Sequence, residues 1–322
     1  MKYLYNPGYE FVKSGFKGNK TVNGVFQNLY GQSGGNSLYQ VIKWRLSRNR
    51  QKYEKDRENY KLPVHQAENI LQDKDDYLLW LGHATWLIQI DGKKIITDPC
   101  LTSPPFVKRQ TALPIPATVI NPDYVLISHG HYDHLDFNTL RHFNKATALV
   151  PLGMRGLIKE NIADINCHEA AWYQRYNLTE DFQIIFLPAH HWYRRGTNDY
   201  NKILWGSFLI RTKKGTIYFG GDSGYSQHFK DIGGLFNNID IAILPIAAYS
   251  PRWFMKTSHI NPEEAILAFK ELKAKKLIPM HYGTFDLSDE PLGEPEYRLK
   301  NICRGDEVIF LSIGVKYPFS DQ

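Results

Sequence analysis

The chain has 322 residues, 43% of them hydrophobic and 22% charged, and a net charge of +6. That balance is globular, the length suits one large domain or two modest ones, and the charge is too modest to mark a nucleic-acid binder. No stretch of 18 apolar residues is present to span a membrane, Met1 to Pro7 lack an apolar core of signal-peptide type, and three scattered cysteines (Cys100, Cys167, Cys303) give neither a disulfide framework nor a zinc knuckle, so a reducing cytoplasm is the expected setting.

In chain order, residues 1 to 35 are rich in glycine and asparagine with interspersed aromatics, and read as irregular. Leu38 to Tyr60 reads as a helix, with Leu38, Val41, Ile42 and Leu46 as an apolar stripe. From Lys43 to Lys61 there are eight lysines and arginines against three acids. Such a run is either a solvated basic face or a contact for anionic lipid headgroups. Residues 1–76 are expected to form an extension carrying this basic amphipathic helix, and 77–322 the main domain. From Tyr77 onward, apolar runs predict strands at 78–82, 86–91, 94–98, 124–128, 147–150, 182–187, 204–211, 215–219, 239–244, 277–280 and 307–311. Helices are predicted at 136–143, 153–161, 226–235 and 262–274, the last opening on Pro262, Glu263 and Glu264 as capping and the helix dipole favour. This order fits an α/β protein with two mixed sheets packed face to face and helices outside. The proline-rich stretch 99–122 reads as a loop over the site.

The chemistry concentrates where strands end. The apolar run Tyr124 to Ile127 leads directly into Ser128-His129-Gly130-His131-Tyr132-Asp133-His134-Leu135-Asp136, an H-x-H-x-D-H cluster. Neutral imidazoles and carboxylates are the ligands of zinc and similar borderline metals. His129 and His131 alternate, so extended backbone points both to one side, and Asp133 and His134 follow where the chain turns, within reach of a second ion. Three later strands end in further donors: 182–187 before His190-His191-Trp192, 216–219 before Gly220-Gly221-Asp222-Ser223-Gly224, and 276–280 before His281-Tyr282-Gly283. Each alone reads equally well as a capped strand end or a core histidine. Together they describe strand ends converging on one sheet edge. Spacing leaves His190 and His191 as alternatives, because adjacent side chains in extended backbone point opposite ways.

These motifs resemble the metallo-β-lactamase superfamily and, more finely, its N-acyl-phosphatidylethanolamine phospholipase D-like branch. The finer resemblance covers residues 77 to 315. It rests on Trp80-Leu81-Gly82-His83-Ala84-Thr85, Thr97-Asp98-Pro99, the 128–136 run, His191-Trp192, Leu204-Trp205-Gly206-Ser207, Gly221 to Tyr225, Pro251-Arg252-Trp253-Phe254-Met255, His259 with Pro262 to Ala265, and His281-Tyr282-Gly283-Thr284-Phe285. It implies the αβ/βα four-layer sandwich of the metallo-β-lactamase fold, with 77–322 as the catalytic domain. It also implies two Zn2+ ions with a bridging hydroxide. His129, His131 and His191 would hold the first ion, Asp133, His134 and His281 the second, and Asp222 both; the ligand stands immediately before Trp192, which selects His191. Asp222 and His259 would be catalytic. His83 and Asp98 are expected to orient ligands from behind. The stretch 251–255 reads as a loop walling an apolar substrate tail, with Arg252 offering a planar donor pair to a phosphate and Trp253, Phe254 and Met255 lining the wall.

The leading functional expectation is a zinc phosphodiesterase of phospholipase D type, cleaving N-acyl-phosphatidylethanolamine-like lipids to N-acyl-ethanolamine and phosphatidic acid. A lactonase or small-ester hydrolase shares the same ligand order, as do a nuclease and a non-catalytic metal-binding protein. The expected partners are a small-molecule or phospholipid substrate and, peripherally, an anionic membrane. No nucleic acid is expected, and a homodimer is allowed.

Overall fold

Strands form here where β-branched and aromatic residues run together, and their burial on both faces follows from their place between layers. The run Thr-Trp-Leu-Ile-Gln-Ile at 85–90 is buried throughout. The computed structural model describes residues 1–31, 38–303 and 305–319. The strands are β1 (Lys2–Leu4), β2 (Asn19–Val22), β3 (Val25–Phe26), β4 (Tyr77–Gly82), β5 (Thr85–Ile90), β6 (Lys93–Thr97), β7 (Tyr124–Leu126), β8 (Thr147–Pro151), β9 (Asn166–Ala170), β10 (Gln174–Arg175), β11 (Phe182–Leu187), β12 (Ser207–Thr212), β13 (Thr216–Phe219), β14 (Ile241–Pro245), β15 (Lys276–Met280) and β16 (Lys316–Pro318). The helices are α1 (Leu38–Leu46), α2 (Lys52–Arg57), α3 (Phe137–Leu140), α4 (Arg155–Asn161), α5 (His228–Leu235), α6 (Arg252–Met255), α7 (Pro262–Leu272) and α8 (Glu294–Ile302).

Two mixed sheets share one hydrophobic core. One has seven strands in the order β16-β4-β5-β6-β7-β8-β9, the other six in the order β10-β11-β12-β13-β14-β15. Each is antiparallel in its first half and parallel in its second, from β6 to β9 and from β13 to β15. The parallel halves need crossover connections, and helices supply several of them. α7 packs on α5 and β14, and α4 on β9, covering the outer faces. The start of α7 follows its sequence: Asn261 and Glu264 form a capping box around Pro262. This is the α/β four-layer sandwich expected.

Several expectations change. Residues 1–31 are not irregular throughout: β1, β2 and β3 make a small antiparallel sheet, while 32–35 lie outside the described residues. The helix expected from 38 to 60 divides into α1 and α2. At the break, Asn49 accepts from the Gln51 N–H at 2.8 Å and donates to the Asp289 carbonyl at 2.9 Å, bonds that a continuous helix would not make. The expected strand at 307–311 reduces to one bridge between Val308 and Leu277. Strand β16 instead pairs with β4 at the opposite edge of the molecule's other sheet. β9, β10 and α8 had no clear periodic signal, and 251–255, expected as a loop, is the helical turn α6.

The amino-terminal segment is tied to the main sheets. Val12 N–H donates to Tyr173 O at 2.8 Å and Phe26 N–H to Asn201 O at 2.8 Å, while Lys13 pairs with Asp231 of α5 at 3.2 Å. α1 is fixed by Trp44, whose ring stacks on Phe254 with centroids 4.9 Å apart and whose Nε1 donates to Asp289 at 3.0 Å.

Candidate metal centre

The donors lie at the carboxyl ends of β7, β11, β13 and β15, the edge where parallel α/β sheets place their ligand sites. Local backbone makes the approach possible. Gly221 has φ +57°, and a Cβ there would lie 2.7 Å from the Cβ of Ser128. Glycine thus lets the Asp222 turn and the His129 turn touch.

Three nitrogens converge first: His129 Nε2 lies 2.9 Å from His131 Nδ1, and His191 Nε2 lies 3.1 Å from the same atom. A second group joins Asp133, His134 and His281, with the Nε2 atoms of the two histidines 3.3 Å apart and Asp133 Oδ2 3.5 Å from His134. Asp222 stands between them, with Oδ2 3.2 Å from His134 and 4.0 Å from His129, and Oδ1 3.0 Å from His281. Within each of several such groups the donor atoms lie within 4.8 Å of one another. His190 is not among them. Its backbone N–H donates to Ser223 Oγ, and its buried ring nitrogens have no partner among the described residues. Of the two alternatives, the structure brings His191 to the cluster.

Hydrogen bonds behind the ligands decide which nitrogen carries the lone pair. Ser128 Oγ donates to Asp98 at 2.6 Å, so it accepts from His129 Nδ1 at 3.0 Å and leaves Nε2 as a bare donor to an ion. His191 Nδ1 donates to the Ser258 carbonyl at 3.0 Å, and His134 Nδ1 to Asp98 at 2.7 Å, with the same result. His83 Nε2 meets Asp133 at 3.0 Å. His83 and Asp98 thus each contact a residue of the cluster from behind. Ser128 and the Ser258 carbonyl were not singled out in the sequence, because a serine beside a histidine carries no signal by itself.

Electrostatics favour a cation here. Burial holds the His129 and His191 imidazoles well below their ordinary pKa and His131 at about 4, so all three are neutral and able to offer a lone pair. Burial would raise the Asp222 carboxyl, but His134 and His281 hold it well below the usual range. Burial would also lower His134, yet Asp222 and Asp133 raise it far above its ordinary value, so a proton on its Nε2 competes with an ion for the same lone pair. Two ionised, buried carboxylates beside converging lone pairs are costly without positive charge between them. A pair of divalent ions fits that donor set.

A cavity of about 410 Å³ opens onto the cluster at His131, Asp133, Asp222 and His259. Its other walls are Val41, Trp44 and Arg45 of α1, Pro104, Pro105 and Val107 of the proline-rich loop, Trp192, Phe254, Met255 and Leu287. His259 Nδ1 lies 3.7 Å from Asp222 Oδ2, and burial pushes the imidazole down to about 4. Phe254 and Met255 thus line the wall as expected. Arg252 and Trp253 do not. The Arg252 guanidinium forms a double hydrogen bond with Glu264 at 2.8 Å and donates to the His259 carbonyl at 2.9 Å, so it braces His259 instead of facing the cluster. Trp253 points to the outer side of α6, about half exposed, with Lys43 over its ring at 5.2 Å. The cause is the helical turn, which rotates each side chain by about 100° from the one before, so that Phe254 and Met255 face the cavity while Trp253 faces away from it. On α1 the expected stripe divides likewise: Val41 lines the cavity, Ile42 and Leu46 are exposed, and the Leu38 side chain lies outside the described residues.

Residues 93–282 match the family described as Beta-lactamase superfamily domain. The chain is 32% identical over 298 residues to N-acyl-phosphatidylethanolamine-hydrolyzing phospholipase D 1 of Caenorhabditis elegans, which covers 85% of this chain and 82% of that protein. It is 35% identical over 244 residues to the mitochondrial N-acyl-phosphatidylethanolamine-hydrolyzing phospholipase D of Saccharomyces cerevisiae, covering 70% of this chain and about half, 52%, of that relative. Among solved structures, Igni18, a metallo hydrolase of the archaeon Ignicoccus hospitalis, matches with a TM-score of 0.58 at 23% identity over 76% of this chain and 98% of that one, a likeness of fold.

Proposed function

This chain belongs to the β-lactamase superfamily, and we propose that within it the protein is a two-zinc phosphodiesterase that cleaves N-acylated phosphatidylethanolamine-like lipids to an N-acyl-ethanolamine and a phosphatidic acid. The observation that carries the reading is the cavity, which is lined both by the donors His131, Asp133 and Asp222 and by the apolar side chains Val41, Trp44, Pro104, Pro105, Phe254 and Leu287. Such a wall suits acyl chains better than a sugar lactone. Similarity to two phospholipases D supports it.

His129, His131 and His191 would hold one ion, Asp133, His134 and His281 the other, and Asp222 both. Bound there, the ions supply Lewis acidity that activates water and neutralises phosphoryl oxygens. The remaining work belongs to the chain. Ser128, Asp98 and the Ser258 carbonyl hold the imidazole tautomers. His259, braced by Arg252 and neutral, is placed to accept a proton from the attacking water, and the imidazolium so formed can return it to the leaving oxygen. The wall excludes water from the acyl side. On the outer side of α1, exposed Tyr39, Ile42 and Leu46 lie among Lys43, Arg48 and Arg50, a combination that suits peripheral contact with an anionic bilayer. Among the described residues no helix is long and apolar enough to cross one.

Parallel assays on N-acyl-phosphatidylethanolamine vesicles and on a lactone panel test the reading, with elemental analysis after zinc reconstitution. Two zinc ions per chain and preferred lipid cleavage are expected. Rapid lactone turnover without lipid cleavage would make the protein a lactonase, and bound metal with no hydrolysis of either would make it a binding protein.

A further inference from the structure

Arg252, the cation the sequence offered for a substrate phosphate, is bound to Glu264 and the His259 carbonyl. The cavity over the cluster nevertheless has one arginine or lysine among its described lining residues, Arg45. It projects from α1 beside Val41 and Trp44. Its guanidinium carbon lies 5.2 Å from the Trp44 ring, and no carboxylate partner engages it among the described residues. Its base is held firmly, because Trp44 is both stacked on Phe254 and hydrogen-bonded to Asp289. The acidic groups that share the cavity, Asp133 and Asp222, belong to the donor cluster. An arginine without an anion, fixed at its root over a hydrolytic site, is a receptor for an anion brought by the substrate.

We infer that Arg45 is the substrate-anion contact of this cavity, engaging a phosphate oxygen of the bound phosphodiester and so selecting anionic over neutral esters. The inference rests on the phosphodiesterase reading for the identity of the substrate, but not for the anion contact itself. Val41, Trp44 and Arg45 face the substrate, whereas Arg48 and Arg50 line a separate groove of about 890 Å³ against Trp253.

The test compares wild type, R45Q, R45K and, as a control at an exposed arginine of β12, R211Q, each zinc-reconstituted, on three soluble probes: bis(p-nitrophenyl) phosphate, neutral p-nitrophenyl acetate, and inorganic phosphate by calorimetry. In R45Q, KM for the diester should rise about tenfold, and phosphate affinity should fall by a similar factor, as loss of one charged hydrogen-bond pair predicts. KM for the neutral ester should stay within twofold. R45K should fall between, keeping the charge but losing the planar fork. R211Q should match wild type on all three probes. An equal rise in KM for both esters would reduce Arg45 to a wall residue and overturn the inference. So would phosphate affinity that is unchanged in R45Q or absent in wild type. If the ester is cleaved and the diester is not, the phosphodiesterase reading fails, and phosphate calorimetry still decides for or against Arg45.

Discussion

Single residues matter here through the lone pair they free or fix. The ligands were recognisable as residue types, but the atoms that position them come from distant segments. Asn28 is the clearest case. Its side chain accepts from the His191 N–H at 3.2 Å and donates to the His191 carbonyl at 2.9 Å, and it also accepts from Trp205 Nε1 at 3.1 Å. An asparagine in a Gly/Asn-rich stretch gives no sign of this. Asn28→Ala should lower zinc affinity about tenfold in competition with a chelator, the usual scale for loss of a group that orients a ligand. An unchanged competition curve would show that the His191 loop holds its shape unaided. Asp222→Asn should be harsher, removing a charge that lies between both donor groups. A loss of about a hundredfold or more in hydrolysis, with fewer ions retained on dialysis, is expected. Near-normal turnover would make Asp222 a capped strand end and nothing more.

Elements act by tying loops together. α6 turns Phe254 inward and Trp253 outward, and α1 closes the cavity because Trp44 locks onto Phe254. The amino-terminal segment is strapped to α5 where Asp231 accepts from Tyr30 and Lys13. Burial would raise the Asp231 carboxyl, but those donors hold it below the ordinary 3.8. A folded pKa below the unfolded one gives stability that is fully present above the unfolded value and lost as pH falls through the folded one. Asp231→Asn should therefore cost about 2 kcal/mol at pH 7, the scale of hydrogen bonds to a charged group. Thermal melts should show the gap between wild type and variant holding down to about pH 5, then narrowing as pH falls below the unfolded value and through the Asp231 folded pKa. A gap independent of pH would assign the cost to packing instead of charge.

At the scale of the molecule, four strand ends and two sheets meet at one edge, so ion binding draws on the whole sandwich. Ligands that converge only in the folded chain make binding energy into folding energy. Removing metal with a chelator should lower the unfolding free energy by about 4 kcal/mol if zinc had been present near a thousand times its dissociation constant. Calorimetric scans with and without chelator measure this. Identical melting temperatures would mean that the ions add nothing to the fold. The same convergence explains why the sheet edge could be foreseen and its covering could not.

Strand periodicity, the H-x-H-x-D-H run and the repeated pattern of a strand followed by a donor are local, so the sequence alone determined a two-sheet α/β architecture and the set of residues able to bind metal. Covalent neighbours fix which face a strand residue takes, and glycines at 220–221 and 283 announce tight turns. The holding of the His191 backbone by Asn28, the bracing of His259 by Arg252, the small sheet β1–β3 and the place of α1 over the cavity are decided by contacts between segments far apart in the chain. Arg252 and Glu264 are twelve residues apart, and Asn28 and His191 are 163 apart. No local pattern encodes such a pairing, because its energy arises only when packing has brought the partners together and removed water from between them.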